Sequence, residues 1–251
     1  MHSFVDALHW LATGSHWSGF DGIPTRVWEH VYTSLVSIAI GSAIALPIGL
    51  YIGHTRRFQF LSVSIANIGR AIPSFGILVL AYIVVSNISG SLAFGFVPTV
   101  VALVLLTIPP ILTNTYVGIQ QVDADTVEAA RGMGMSEGQV LRRLELPLAA
   151  PLILAGIRTA AVTVVATATL SALIGGGTLG RYIVDGLAQS DFAKLIAGAL
   201  LVALLAILTE VVLAGVERLV TPPTYSSRAR RWSLWRNPDV SPARHRALFD
   251  V

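Results

Sequence analysis

Residues 120–147 read QQVDADTVEAARGMGMSEGQVLRRLELP, a polar stretch set between long apolar runs. Asp125 is placed to cap a first short helix, with Glu128 three residues on, and Gly132 and Gly134 end it. Ser136 is placed to cap a second, with Gln139 in the reciprocal position, and Pro147 limits its far end by disfavouring helix at Leu146. The pattern is a helical hairpin. On periodicity alone, an amphipathic bracket resting on lipid headgroups fits equally well.

The flanking runs decide the setting. The chain of 251 residues is 54% hydrophobic and 12% charged, against about 25% charged for a soluble domain. A helix crossing about 30 Å of hydrocarbon needs roughly 20 apolar residues, because lipid satisfies no backbone donor or acceptor. Five stretches qualify, at about 31–52, 61–85, 96–119, 148–174 and 195–216, which predicts an all-α membrane protein of five spans. Residues 1–27 form a segment before the first span, with Phe4, Leu8 and Leu11 at helical spacing and Pro24 suited to a first helical turn. This segment has no Lys or Arg before Arg26 and no continuous apolar core, so it does not read as a cleavable signal peptide. Residues 221–251 form a basic tail carrying Arg228, Arg230, Arg231, Trp232, Trp235 and Arg236. Such a tail suits an anionic leaflet, or is simply disordered.

Basic residues orient the spans. One set of connecting segments holds Arg56, Arg57, Arg131, Arg142, Arg143, Arg218 and the arginines of the tail, whereas the other holds only Arg26 and Arg181. The expectation is an amino terminus outside, a carboxy terminus in the cytoplasm, and a cytoplasmic hairpin.

On that placement, Glu128, Ala129, Ala130 and Gly134, followed by Leu144, Leu146 and Pro147, resemble the EAA loop of ABC importer permeases: E-A-A, three residues, G, nine residues, I-x-L-P. Leu144 stands where isoleucine is usual. The segments NIGRAIPSFGIL (67–78), NTYVGI (114–119), AGIRTA (155–160) and TLSALIGGGTLG (169–180) resemble the quaternary-amine branch of that family. That branch imports glycine betaine, choline, carnitine and proline betaine. Arg70 departs from it, since a polar uncharged residue is more usual there.

The resemblance implies a type I importer transmembrane domain that couples through residues 120–147 to a dimer of separate ABC ATPases. ATP and magnesium would be held by those partners and none by this chain. It also implies a second permease subunit, a copy or a relative, and an external substrate-binding protein or lipoprotein, in the cell's inner membrane. Quaternary ammonium groups are held by aromatic faces, so Tyr51, Phe75, Tyr82 and Tyr116 are candidates to line the path. Arg70 and Arg158 are intramembrane charges that must face protein or water. The run AGIRTAAVTVVATATLSAL (155–173) is rich in small and hydroxyl residues, which suits close helix packing, and Gly175, Gly176 and Gly177 read as a loop or a hinge.

Other classes find little support. GGGTLG lacks the lysine of a phosphate-binding loop, and no H-E-x-x-H or G-x-S-x-G is present, so no catalytic or metal site is expected. Absence of cysteine removes thiolate sites. Net charge alone does not argue for nucleic acid. An ion-coupled carrier would want a repeat and buried ionisable groups, and Glu210 alone is thin support. Methionine, phosphonate or sulfonate are the alternative solutes.

Overall fold

The computed structural model describes residues 2–60, 64, 69, 71–92 and 94–220. The basic tail (221–251) and Arg70 lie outside the described residues. All regular structure among the described residues is helical: α1 (His2–Ala12), α2 (Ile23–Thr55), α3 (Ser74–Ile88), α4 (Phe96–Gln120), α5 (Ala124–Gly132), α6 (Glu137–Val140), α7 (Leu146–Thr167), α8 (Gly180–Ala188) and α9 (Phe192–Val220). Helix α6 continues through a π turn at Leu141–Glu145 into α7, and a 3-10 segment Ala168–Ile174 follows.

Four helical stretches are long and apolar enough to cross a membrane: α2, α4, the run Glu137–Ile174, and α9. The second expected span differs. It is interrupted at Pro73, whose carbonyl accepts from the Ile77 N–H at 3.1 Å as α3 begins. The 15 residues of α3 cover about 22 Å at 1.5 Å per residue. Most of residues 61–70 lie outside the described residues.

The bundle is built on one close contact. Gly41, Ala45, Gly49 and Gly53 form a stripe of small residues along α2, and α4 lies directly on it. A Cβ added at Gly41 would meet Thr107 Cγ2 at 2.5 Å, at Gly49 the Thr115 Cβ at 2.7 Å, and at Gly53 the Ile119 Cβ at 2.6 Å. Small residues permit this approach where lipid supplies no hydrophobic drive. Thr107 and Thr115 are fully buried, yet each hydroxyl donates to its own helix, to Leu103 O at 2.8 Å and Ile111 O at 2.7 Å. Their polar atoms are thereby satisfied. The pairings ascend together, so α2 and α4 run parallel and the chain between them returns across the bundle, with α3 on the way.

Helix α7 closes the other side of α4, running antiparallel to it: a Cβ at Gly156 would meet Asn114 Cβ at 2.6 Å, and one at Gly118 would meet Ala149 Cβ at 3.3 Å. Helix α9 is the outermost, exposing Leu204, Ile207, Leu208, Val211 and Val212. At the amino end of α2, Arg26 pairs with Asp21, with Glu29 at 2.8 Å, and donates to Gly177 O at 2.8 Å. Gly95 N–H donates to Ile174 O at 2.8 Å. Tyr182 Oη donates to Asp21 O at 2.6 Å, and burial pushes its phenol up to about 12. The triglycine stretch is therefore tied down rather than a free hinge.

Gly49→Ala tests the contact. Without steric conflict, such a change at a helical position stabilises by roughly 0.4–1 kcal/mol; here overpacking should reverse the sign, costing about 1–3 kcal/mol. Thermal unfolding in detergent should show a lowered midpoint for Gly49→Ala and little change for Gly90→Ala, where the added carbon meets nothing within 4 Å. A raised midpoint at Gly49 would contradict the packing.

Candidate functional site: the polar hairpin and the apolar bundle

The hairpin has its own small core. Val122, Val127, Ala130 and Val140 are buried together, with Met135 and Leu144 packed against them. The first helix starts two residues earlier than its capping pattern suggests. Asp123, not Asp125, is the cap: its Oδ1 accepts from Thr126 N–H at 2.9 Å and from Thr126 Oγ1–H at 3.1 Å. These bonds hold the Asp123 carboxyl below the usual carboxylate range. Two carboxylates in D-A-D both suit a cap, and only the helix start decides between them.

Gly134 takes φ +85° and Met135 N–H reaches back to Ala130 O at 3.2 Å, closing the helix as a left-handed cap. Ser136 N–H donates to Gln139 Oε1 at 2.9 Å, as the capping-box pattern anticipates. Pro147, by contrast, does not end the second helix. Leu146 N–H bonds Leu141 O, five residues back, and this one-residue widening accommodates the proline, so the helix runs unbroken from Glu137 to Ile174.

The motif residues divide by exposure. Glu128, Ala129, Gly134 and Pro147 are exposed, Ala130 and Leu144 serve the hairpin core, and Leu146 packs on Ile119, Ala149 and Ile153. Met133 projects at the tip, 79% exposed.

A chain of polar side chains that the sequence did not reveal fastens the hairpin to α2. His54, in the last turn of α2, places Nδ1 2.5 Å from Glu145 Oε2 and Nε2 3.1 Å from Glu137 Oε2. Arg131 completes the chain with two parallel bonds to Glu137, at 2.9 and 3.0 Å, a geometry that guanidinium and carboxylate share. Arg131 holds the Glu137 carboxyl below its ordinary value, and Glu137 raises the guanidinium's. Beside this chain lies a cavity of about 290 Å³ lined by Arg56, Glu128, Arg131, His54 and Glu145 among others.

The aromatic candidates do not converge. Tyr51 is exposed beside Pro47, Ile48 and Phe58, Phe75 is exposed on α3, Tyr82 stands edge-on to Phe94 at 5.7 Å, and Tyr116 is buried against Ala45, Ile52 and Ile111. Arg158 is engaged by α9, with Nε 3.5 Å from Glu210 Oε1 and Nη1 3.0 Å from Glu217 Oε2. Among the described residues, no group of His, Cys, Asp and Glu is arranged to hold a metal.

Comparison with known proteins places this geometry. Residues 45–222 match the family model described as binding-protein-dependent transport system inner membrane component. A choline transport system permease protein of Bacillus subtilis (strain 168) is 39% identical over 197 residues, covering 78% of this chain and 88% of the relative. A glycine betaine/carnitine/choline transport system permease protein of the same organism matches to the same extent. An osmoprotectant import permease protein of Salmonella typhimurium is 35% identical over 198 residues, covering 78% of this chain and 81% of the relative. Among solved structures, an inward-facing conformation of the MetNI methionine ABC transporter superposes with a TM-score of 0.69 at 26% identity, covering 78% of this chain and 94% of that one.

The His54 chain yields a testable energy. Glu145 is 5% exposed, so His54→Ala leaves a buried carboxylate without its partner, at a cost of about 1–3 kcal/mol. A double-mutant cycle with Glu145→Ala should return a coupling energy of the same order, read from unfolding midpoints; strict additivity would deny the contact. Acid should act on the same region. Because the Asp123 and Glu137 carboxyls are held below their ordinary values of 3.8 and 4.5, their contribution is complete above those values and is lost as pH falls through the lower folded ones. Amide protection across 124–140 should therefore be constant at neutral pH and decline on acidification below that range.

Proposed function

The chain belongs to the family of binding-protein-dependent transport system inner membrane components, and from that premise we propose that it forms the translocation pathway of an ATP-driven importer for osmoprotectant quaternary amines. Choline, glycine betaine, carnitine and proline betaine are the intended solutes. The substrate class is supported by relatives named for choline, carnitine, glycine betaine and osmoprotectant transport at 35–39% identity. Methionine is the second reading, favoured only by the structural likeness at 26% identity.

In this reading the chain is a transport subunit and not an enzyme, with ATP and magnesium held by a partner ATPase dimer. A second permease subunit, identical or related, completes the pathway, and an external binding protein or lipoprotein delivers the solute. The transmembrane domain spans about 28–220, flanked by an outer segment (1–27) and a cytoplasmic tail (221–251). The fifth crossing is assigned to the segment between α2 and α4, which holds α3, since the parallel run of α2 and α4 requires a return between them. The amino terminus is outside, because arginines gather at the hairpin end.

The observation that carries the coupling role is the hairpin itself. Residues 120–147 form a capped lever with Glu128, Ala129 and Gly134 exposed, stiffened by Ala130 and Leu144 and joined to the spans by Leu146 and Pro147. Ala129 lets a partner surface come close, and Glu128 supplies a carboxylate for a basic residue on the ATPase. Tyr51, Phe75, Tyr82, Tyr116, Arg70 and Arg158 are kept as path residues to be examined in the assembled dimer, where the single chain's exposed surfaces acquire neighbours.

Reconstituted with its ATPase and binding protein, the assembly should take up radiolabelled choline or glycine betaine. Uptake should survive collapse of ion gradients, stop on ATP depletion, and resist competition by methionine. Gly134→Val should insert and assemble normally yet lose ATP-coupled uptake, because a β-branched residue does not tolerate φ +85°. Normal uptake by that variant would remove the lever.

A further inference from the structure

Three aromatic rings gather at the end of the bundle assigned to the outside, and none belongs to the sequence-derived path. Trp28 and Tyr32 lie one turn apart on α2, with ring centroids 6.2 Å apart and planes at 26°. Phe96, in the first turn of α4, continues the stack at 5.6 Å and 21° from Tyr32. Tyr32 and Phe96 line a cavity of about 130 Å³ together with Glu29, Thr99 and the backbone of Gly176 and Gly177. Its walls are built. A Cβ at Gly176 would meet Ser171 at 2.7 Å, and one at Gly177 would collide with Arg26 and Glu29.

Of the hydroxyls lining the cavity, those of Thr99, Ser171 and Thr178 are already hydrogen-bonded and that of Thr33 has no partner among the described residues, which narrows what the cavity suits. Thr99 Oγ1 donates to Gly95 O at 2.6 Å, and Thr178 Oγ1 bonds both Ser171 Oγ and Ala168 O, at 2.8 and 3.0 Å. The Arg26 side chain, 7% exposed, bonds Asp21, Glu29 and Gly177 O through Nη1 and Nη2, while its Nε has no partner among the described residues. Glu29 keeps 32% of its side chain exposed. The site thus offers ring faces and a carboxylate shared with Arg26. A guest needing several directed hydrogen bonds gains little there beyond the Thr33 hydroxyl. A cation that cannot donate one gains from ring quadrupoles and diffuse negative charge.

We propose that Tyr32, Phe96 and Glu29, with Trp28 at the rim, form a weak quaternary-ammonium station at the outer mouth, where solute rests before entering the bundle. Aromatics at a membrane interface ordinarily serve as anchors; a carboxylate beside a ring-lined cavity is not needed for anchoring. The station deepens the import reading and rests on it for the solute's identity, but its chemistry is separable from transport.

The test uses the full chain in lipid nanodiscs and, separately, the complete importer in proteoliposomes. Titration of the nanodisc-held chain with tetramethylammonium chloride should give a saturable tryptophan-fluorescence change that sodium chloride does not. That change should be lost in Trp28→Phe and weakened about five- to tenfold in Tyr32→Leu and Glu29→Gln, while Tyr32→Phe stays near wild type. In the importer, the Tyr32→Leu/Phe96→Leu pair should lower choline uptake by a similar factor at saturating binding protein, with unfolding midpoints confirming intact folding. A linear response equal to that of sodium chloride, or unchanged uptake in the double variant, overturns the station. Saturable tetramethylammonium binding by a chain whose importer takes up no quaternary amine overturns the import reading and leaves the station standing. Nanodiscs with and without phosphatidylcholine separate a free solute from a lipid headgroup, and a response abolished by that lipid counts against the solute station.

Discussion

The glycine face of α2 against the threonine face of α4 is the contact from which the rest of the bundle takes its geometry. At Gly41, Gly49 and Gly53 even a methyl group would fall within 2.7 Å of the opposing side chain. Two helices this close cannot rotate or slide independently, because each threonine occupies the space a Cβ would fill. In lipid, where apolar side chains gain nothing by leaving their solvent, such packing is the main source of association. It brings His54 level with Glu145 at one end and Tyr32 level with Phe96 at the other. Both candidate regions depend on that register.

Three clusters of ionisable groups tie separate elements of this apolar chain together. Arg158 on α7 meets Glu210 and Glu217 on α9, His54 on α2 meets Glu145 before α7, and Arg26 on α2 closes on Asp21 and Glu29 while holding the Gly177 carbonyl. An unpaired charge in a bilayer is costly, and pairing between neighbouring helices turns that cost into a constraint on which helices are neighbours. Breaking one partner strands the other, so these contacts specify arrangement more than they add net stability.

The long spans and the hairpin were legible because their signals are local. Apolar length marks α2, α4, α7 and α9; Ser136 with Gln139 and the left-handed Gly134 mark the hairpin. The stripe Gly41, Ala45, Gly49, Gly53 is also present in the sequence at four-residue spacing, but the longer small-residue run 155–173 in α7 is the more conspicuous sign of close packing. What stayed hidden depends on partners far along the chain. Nothing near His54 announces Glu145, 91 residues away, and nothing near Tyr32 announces Phe96. Pro147 misled for a different reason: a proline limits a regular α-helix, and the π turn before it changes which carbonyl goes unpaired.

Taken together, the contacts give α2 a position between the two ends that no local pattern of its own suggests. Its last turn is bonded to the hairpin through His54, its middle is locked to α4, and its first turns carry Arg26, Glu29 and Tyr32. A helix of 33 residues is about 50 Å long, so a tilt imposed at His54 is delivered at Tyr32 as a displacement and not absorbed in between. Pro47 is the one interruption in its ladder of hydrogen bonds, and it lies within two turns of His54. Gly49 and Gly53 meet α4 between that proline and His54, and Gly41 meets it beyond, so α4 splints α2 on both sides of the missing bond and the helix moves as one piece.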